Sequence, residues 1–144
     1  MSRSIIVRDG RFIVDDAVFV DPDEDAGAAR VNVPGHYDEE ALRDRLNSLA
    51  AIRVEVPSFA DGRAFSLAAR LRAMGFRGTL RASGPLLADQ YPLALRVGFD
   101  EVEITQEHAD RIPEPQWAEA ATRTAFDYRA RLQHGLTERK AEAA

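Results

Sequence analysis

Between Ile52 and Ile104 the chain repeats one unit about every 25 residues: an alternating strand, a polar loop, a helix and a closing Gly-Phe. Ile52-Arg53-Val54-Glu55-Val56 alternates apolar and charged residues, the period of a strand with one apolar and one polar face. In the following helix Leu67, Leu71 and Met74 share a face, Gly75 ends it, and Phe76 supplies the hydrophobic contact after a glycine cap. Gly78-Thr79-Leu80-Arg81-Ala82 reads as the next strand. Ser83-Gly84-Pro85 reads as a helix start, with proline in the first turn, and Pro92 as a break or kink in that helix. Gly98-Phe99 repeats the ending, and Asp100-Glu101-Val102-Glu103-Ile104 is the third strand. Strands alternating with helices imply parallel pairing and right-handed crossovers.

The flanks complete an α/β domain over residues 1–144, with a β-rich segment at 1–35, a βα-repeat core at 36–105 and a helical segment at 106–144. Ile5-Ile6-Val7 and Phe12-Ile13-Val14 flank Asp9-Gly10, a hairpin dipeptide, and Ala17-Val18-Phe19-Val20 reads as a third short strand. Asp21-Pro22-Asp23-Glu24-Asp25 is a solvated acidic loop without the spacing of a calcium site. Val31-Asn32-Val33 is a short apolar piece, and Asp38 caps a helix running to about Leu49, with Leu42, Leu46 and Leu49 on one face. Residues 106–114 form a connector. Pro115 opens a long helix whose stripe, Trp117, Ala121, Thr124, Tyr128 and Leu132, packs on the sheet or on another subunit.

The composition removes several function classes. The absence of cysteine excludes disulfides, thiolate metal sites and cysteine nucleophiles. A net charge of −5 disfavours nucleic acid and anionic membrane as partners. Arg8 and Asp9 interrupt any signal-peptide core, and no apolar run has membrane-spanning length, so a cytoplasmic protein is expected. There is no G-x-G-x-x-G, phosphate-binding loop or G-x-S-x-G, so the sequence names no cofactor. His36, His108 and His134 read as surface residues.

The strands carry the chemistry. In a sheet covered on both faces they would be continuously apolar. Here Val54, Val56, Leu80, Ala82, Val102 and Ile104 point towards the helices, while Arg53, Glu55, Thr79, Arg81, Glu101 and Glu103 point away. Helices on one face and charges on the other resemble part of a TIM-barrel wall. If the strands neighbour one another in chain order, Glu55, Arg81 and Glu103 form a row, readable as a charge-assisted ladder or as a catalytic pair of carboxylates around an arginine. The loops after the strands add Ser58, Asp61, Gly62, Arg63, Ser66, Ser83, Gly84, Asp89 and Gln90 at the ends where such sheets place ligands. Arg63 and Arg81 suit an anion, as do the helix starts after Asp61 and Gly84. No ligand spacing selects a metal. Because three parallel strands cannot close a barrel, an open edge is expected to meet a second copy, as in a homodimer, or a partner chain.

Phe59-Ala60-Asp61-Gly62-Arg63-Ala64-Phe65-Ser66 resembles the bacterial domain of unknown function 934 family. The likeness continues through Leu71-Arg72, Gly75-Phe76, Gly78 to Ala82, Gly84, Leu87, Asp89-Gln90 and Gly98-Phe99-Asp100, ending near Glu103. Family members usually carry an acidic residue where this chain has Pro85. The resemblance implies an oxidoreductase label and a setting in sulfite reduction. It points to an accessory protein of sulfate and sulfite assimilation that binds a small anionic metabolite, sulfite reductase or another enzyme of that route. Glu55, Asp61, Arg63, Arg81, Asp89, Gln90 and Glu103 all fall on the matching stretch. A small enzyme with a Glu/Arg site and a non-catalytic oligomeric module are the alternatives.

Overall fold

A computed structural model describes residues 4–58 and 62–124. Six strands form one sheet in the order β2-β1-β6-β5-β4-β3. The strands are β1 (Ser4–Arg8), β2 (Arg11–Ile13), β3 (Arg30–Pro34), β4 (Ala51–Glu55), β5 (Thr79–Ser83) and β6 (Glu101–Thr105). β3 to β6 are parallel and lie side by side in chain order, and β1 runs antiparallel to β6 and β2. The expected α/β architecture with a small parallel sheet is therefore present, with the N-terminal hairpin added at its β6 side. The helices are α1 (Arg63–Ala73), α2 (Tyr91–Val97), α3 (Gln106–Arg111) and α4 (Glu114–Thr124). Tyr128, Leu132 and the rest of the C-terminal stripe lie outside the described residues, as do Phe59, Ala60 and Asp61.

Alternation along the strands sorts the sheet into two faces. Val33, Val54, Ala82, Val102 and Val7 lie in the core with Leu67, Leu71, Ala94, Trp117 and Ala120 from the helices. Trp117 is fully buried against Tyr91, with ring centroids 5.6 Å apart and planes at 71°. The Asp9-Gly10 turn has positive φ at both residues, as its primed hairpin geometry requires. Gly10 also lies against α4, where a Cβ would meet the Ala118 Cα at 2.9 Å. The acidic loop after Val20 is held by Arg45, which donates to the carbonyls of Pro22 (2.8 Å) and Asp25 (3.0 Å).

Four local expectations need correction. Ala17 to Val20 is not a strand: only Val20 bridges to Val31, and the residues before it cross the sheet's polar face. The segment capped by Asp38 is a 3-10 helix ending at Arg45, not an α-helix to Leu49. No helix begins at Ser83-Gly84-Pro85. Gly84 sits on the Val56 carbonyl so tightly that a Cβ would lie 1.9 Å from its oxygen, and the chain turns there before a 3-10 turn at Ala88–Gln90. Pro92 consequently falls in the first turn of α2, where its missing N–H costs nothing, and it neither breaks nor kinks the helix.

The two Gly-Phe endings share one anchor. Arg72, in the last turn of α1, donates to the carbonyls of Phe76 (3.0 Å), Gly78 (2.9 Å) and Gly98 (2.8 Å) and to Asp100 (2.7 Å). Asp100 in turn accepts the Leu80 N–H at 2.9 Å. One side chain thus ties the amino ends of β5 and β6 together, which fixes the parallel register that positions the polar face.

Candidate functional site

Register decides which charges meet. Arg53 pairs with Arg81 and Arg81 with Glu101, while Glu55 pairs with Ser83 and Ser83 with Glu103. The expected row of Glu55, Arg81 and Glu103 is therefore offset by two residues at Arg81. Arg81 still reaches Glu103 diagonally, and Glu55 instead accepts from Asn32 at 2.9 Å. Arg81 is buried, with 2% of its surface exposed, and so is Glu101 at 1%. Its guanidinium donates from Nε to Glu101 (2.9 Å), from Nη1 to Glu103 (2.9 Å) and from Nη2 to Asp15 (2.8 Å). Arg8 donates to the second oxygen of Glu101 at 2.7 Å, and Arg53 Nη1 lies 3.2 and 3.3 Å from the two oxygens of Glu103.

An aromatic ring closes this cluster. Phe19 lies 4.7 Å from the guanidinium carbon of Arg53 and 4.8 Å from that of Arg81, within cation–π range of both. Burial by itself would lower the affinity of Arg81 for its proton. Hydrogen bonds and charge from Glu101, then Glu103 and Asp15, outweigh burial and raise its pKa. The Asp15 carboxyl is held below its ordinary value, first by the Ala17 amide, against a rise from partial burial, and then by Arg81 and Arg8. Buried charges persist only when paired in this way. The cluster is consequently a hydrogen-bonded ion network, which braces a sheet face that no helix among the described residues covers.

Five of the remaining expected residues divide between two places at the carboxyl ends of the parallel strands. Gly62, Arg63 and Ser66 at the start of α1 join Gly35, His36 and Arg70 around an open hollow of about 590 Å³. Gly62 provides no side-chain cap, and the first turn of α1 has no acidic residue. Arg70 is braced by Glu39 at 2.8 Å. Asp61, the expected cap, lies outside the described residues. Ser83 and Gly84 join Glu103, Ser4, Thr105, His108 and Arg111 around a smaller hollow of about 190 Å³. The Gly84 N–H donates to the Glu103 carbonyl at 3.1 Å and is no helix start. Asp89 and Gln90 join neither hollow: Asp89 faces Arg123 at 3.6 Å, and Gln90 accepts the Leu87 N–H at 3.0 Å.

His108 departs from the surface reading. It is buried, its Nε2 pairs with the Leu86 carbonyl, and its ring stands edge-on to Trp117. Asp15, Phe19, Arg70 and Arg111 are not singled out by the sequence as site residues, and His36, read as a surface residue, is exposed. Asp15, Ala17 and Phe19 do alternate with exposed residues, a pattern that marks an extended segment but not the face it lies upon.

Among the described residues no helix is long and apolar enough to cross a membrane, and no cluster of three metal-binding side chains occurs. A family model described as bacterial protein of unknown function (DUF934) matches residues 30–140. No curated protein and no solved structure matches the chain.

Proposed function

The chain belongs to the DUF934 family of bacterial proteins of unknown function, and on that footing we propose that it binds a small anionic ligand at the start of α1, as an accessory protein of sulfate and sulfite assimilation. The observation that carries this reading is the hollow lined by Gly35, His36, Gly62, Arg63, Ser66 and Arg70. Two arginines and a histidine line it, Arg70 being paired with Glu39, and among the described residues its lining holds no carboxylate. The start of an α-helix adds N–H groups and the positive end of the helix dipole. Gly62 has nothing within 4 Å of where a Cβ would stand, so its backbone is open to approach by an oxyanion, whereas Gly35 packs against Ala64 and the Glu55 carbonyl. The location, outside the carboxyl ends of parallel strands, is where open α/β sheets hold ligands.

A catalytic role for Glu55, Arg81 and Glu103 draws less support. Arg81 is enclosed by three carboxylates and a phenyl ring, and Glu55 is turned to Asn32. The sulfur setting rests on the sequence resemblance alone. Partnership with sulfite reductase belongs to the same proposal.

A thermal-shift series with sulfite, sulfate, adenosine phosphosulfates and nicotinamide nucleotides tests the binding claim. At least one anion is expected to raise the melting temperature of wild type and not that of Arg63→Ala. No shift with any of them, together with no co-purification with the reductase, removes the reading. Growth of a deletion strain on sulfate against cysteine tests the setting separately.

A further inference from the structure

Residues 14–19 cross the polar face of the sheet as an extended strap. Exposure alternates along it: Val14, Asp16 and Val18 face out, and Asp15, Ala17 and Phe19 face the arginines. Residues 15–19 pair with no strand among the described residues. The strap is anchored by β2 at one end and by the Val20–Val31 bridge at the other. Beneath it lies a cavity of about 210 Å³ lined by Arg8, Arg30, Arg81, Glu101 and Asp15, with Phe19 as part of its roof.

Charge in this cavity is unbalanced. Three guanidinium groups line it against Glu101 and Asp15, and Glu103, just outside the lining, is shared between Arg81 and Arg53. Arg30 makes no side-chain hydrogen bond or ion pair among the described residues. Arg81 uses three of its five N–H donors. Were Asp15 to leave, Arg8, Arg30, Arg53 and Arg81 would face only Glu101 and Glu103, an excess of two positive charges, with Arg81 buried and Arg8 and Arg30 open to solvent.

We propose that this cavity is an anion site distinct from the hollow at α1, that it takes a small doubly charged oxyanion of the phosphate or sulfate class, and that Asp15 occupies it in the closed protein as an intramolecular stand-in. An incoming dianion accepts the Arg81 Nη2–H in place of Asp15 and recruits Arg30. The strap lifts with its carboxylate and withdraws Phe19 from Arg53 and Arg81. Ligand affinity is thereby lowered by the free energy that holds the strap down, so loosening the strap must tighten binding.

Calorimetric titration of the full chain with hydrogen phosphate and with sulfate, against chloride at matched ionic strength, isolates this cavity in an Arg63→Ala background. Adding Asp15→Asn is expected to tighten binding about tenfold, and adding Arg30→Ala to weaken it about tenfold. Should Asp15→Asn not fold, as judged by circular dichroism, Phe19→Ala loosens the strap without changing charge and is expected to tighten binding as well. Unchanged affinity in a folded Asp15→Asn or Phe19→Ala protein, indifference to Arg30→Ala, or no binding in any background overturns the proposal. Loss of all anion binding on Arg63→Ala, without recovery on Asp15→Asn, overturns it and leaves the α1 hollow standing. Binding that persists in Arg63→Ala and responds to residues 15 and 30 supports it, whatever the α1 hollow does.

Discussion

Arg81, on β5, joins β6 and the strap because a planar guanidinium can donate in several directions at once. Its partners come from β6 and from residue 15, with Phe19 above it. Removing one member of a buried network strands the others without a counter-charge. Arg81→Gln is therefore expected to lower stability by about 3–5 kcal/mol in urea titration, because the buried Glu101 then keeps only the half-exposed Arg8 as its counter-charge. Replacing both Arg81 and Glu101 with apolar residues should cost less than Arg81→Gln alone, since no buried charge is then left behind. Asp15 supplies a pH-dependent part. Its folded pKa is depressed, so its stabilisation is complete above the ordinary 3.8 and is lost as pH falls through the folded value. The stability gap between wild type and Asp15→Asn should thus be open at roughly pH 6 and close towards roughly pH 2.

At the scale of elements, Arg72 and Gly84 set where strands begin and helices do not. Arg72→Ala strips a donor from three carbonyls and Asp100, and a loss of about 1–3 kcal/mol is expected by denaturant unfolding. Gly84→Ala forces a methyl into the Val56 carbonyl, so β4 and β5 must separate, at about 3 kcal/mol or more. These positions also mark what the sequence made legible. Period-two alternation located β4, β5 and β6 and assigned their apolar and polar faces, because burial on one side writes itself into every second residue. Register left no such trace. Glu55, Arg81 and Glu103 belong to one face at any even offset, so alternation could not separate neighbours in a row from residues two apart. Ser83-Gly84-Pro85 carries the local chemistry of a helix start, and the close approach of Gly84 to Val56 is a long-range fact with no local signal. The strap failed as a strand for the same reason: its alternation is real, but the surface it covers is a sheet face instead of a sheet edge.

Across the described residues as a whole, helices cover one side of the sheet and an arginine–carboxylate network, roofed by the strap, occupies the other. The network braces the uncovered face and leaves the open carboxyl ends of the strands as the place for a ligand. Its groups were visible in the sequence as alternating charges, whereas the division of labour was not, since it depends on Asp15 and Phe19 arriving from sixty or so residues away. The hollow at α1 was legible in part: Gly62, Arg63 and Ser66 precede or open a recognisable helix, but Gly35, His36 and Arg70 join them only through folding. The most direct test is calorimetric titration of wild type and Arg63→Ala with sulfite and with sulfate, both proteins carrying Arg30→Ala so that the strap cavity does not contribute, with melting temperatures measured alongside. The account predicts about tenfold weaker binding in Arg63→Ala at a melting temperature within about 2 °C of wild type. Equal affinity in the two proteins, or no binding by folded wild type, would contradict it.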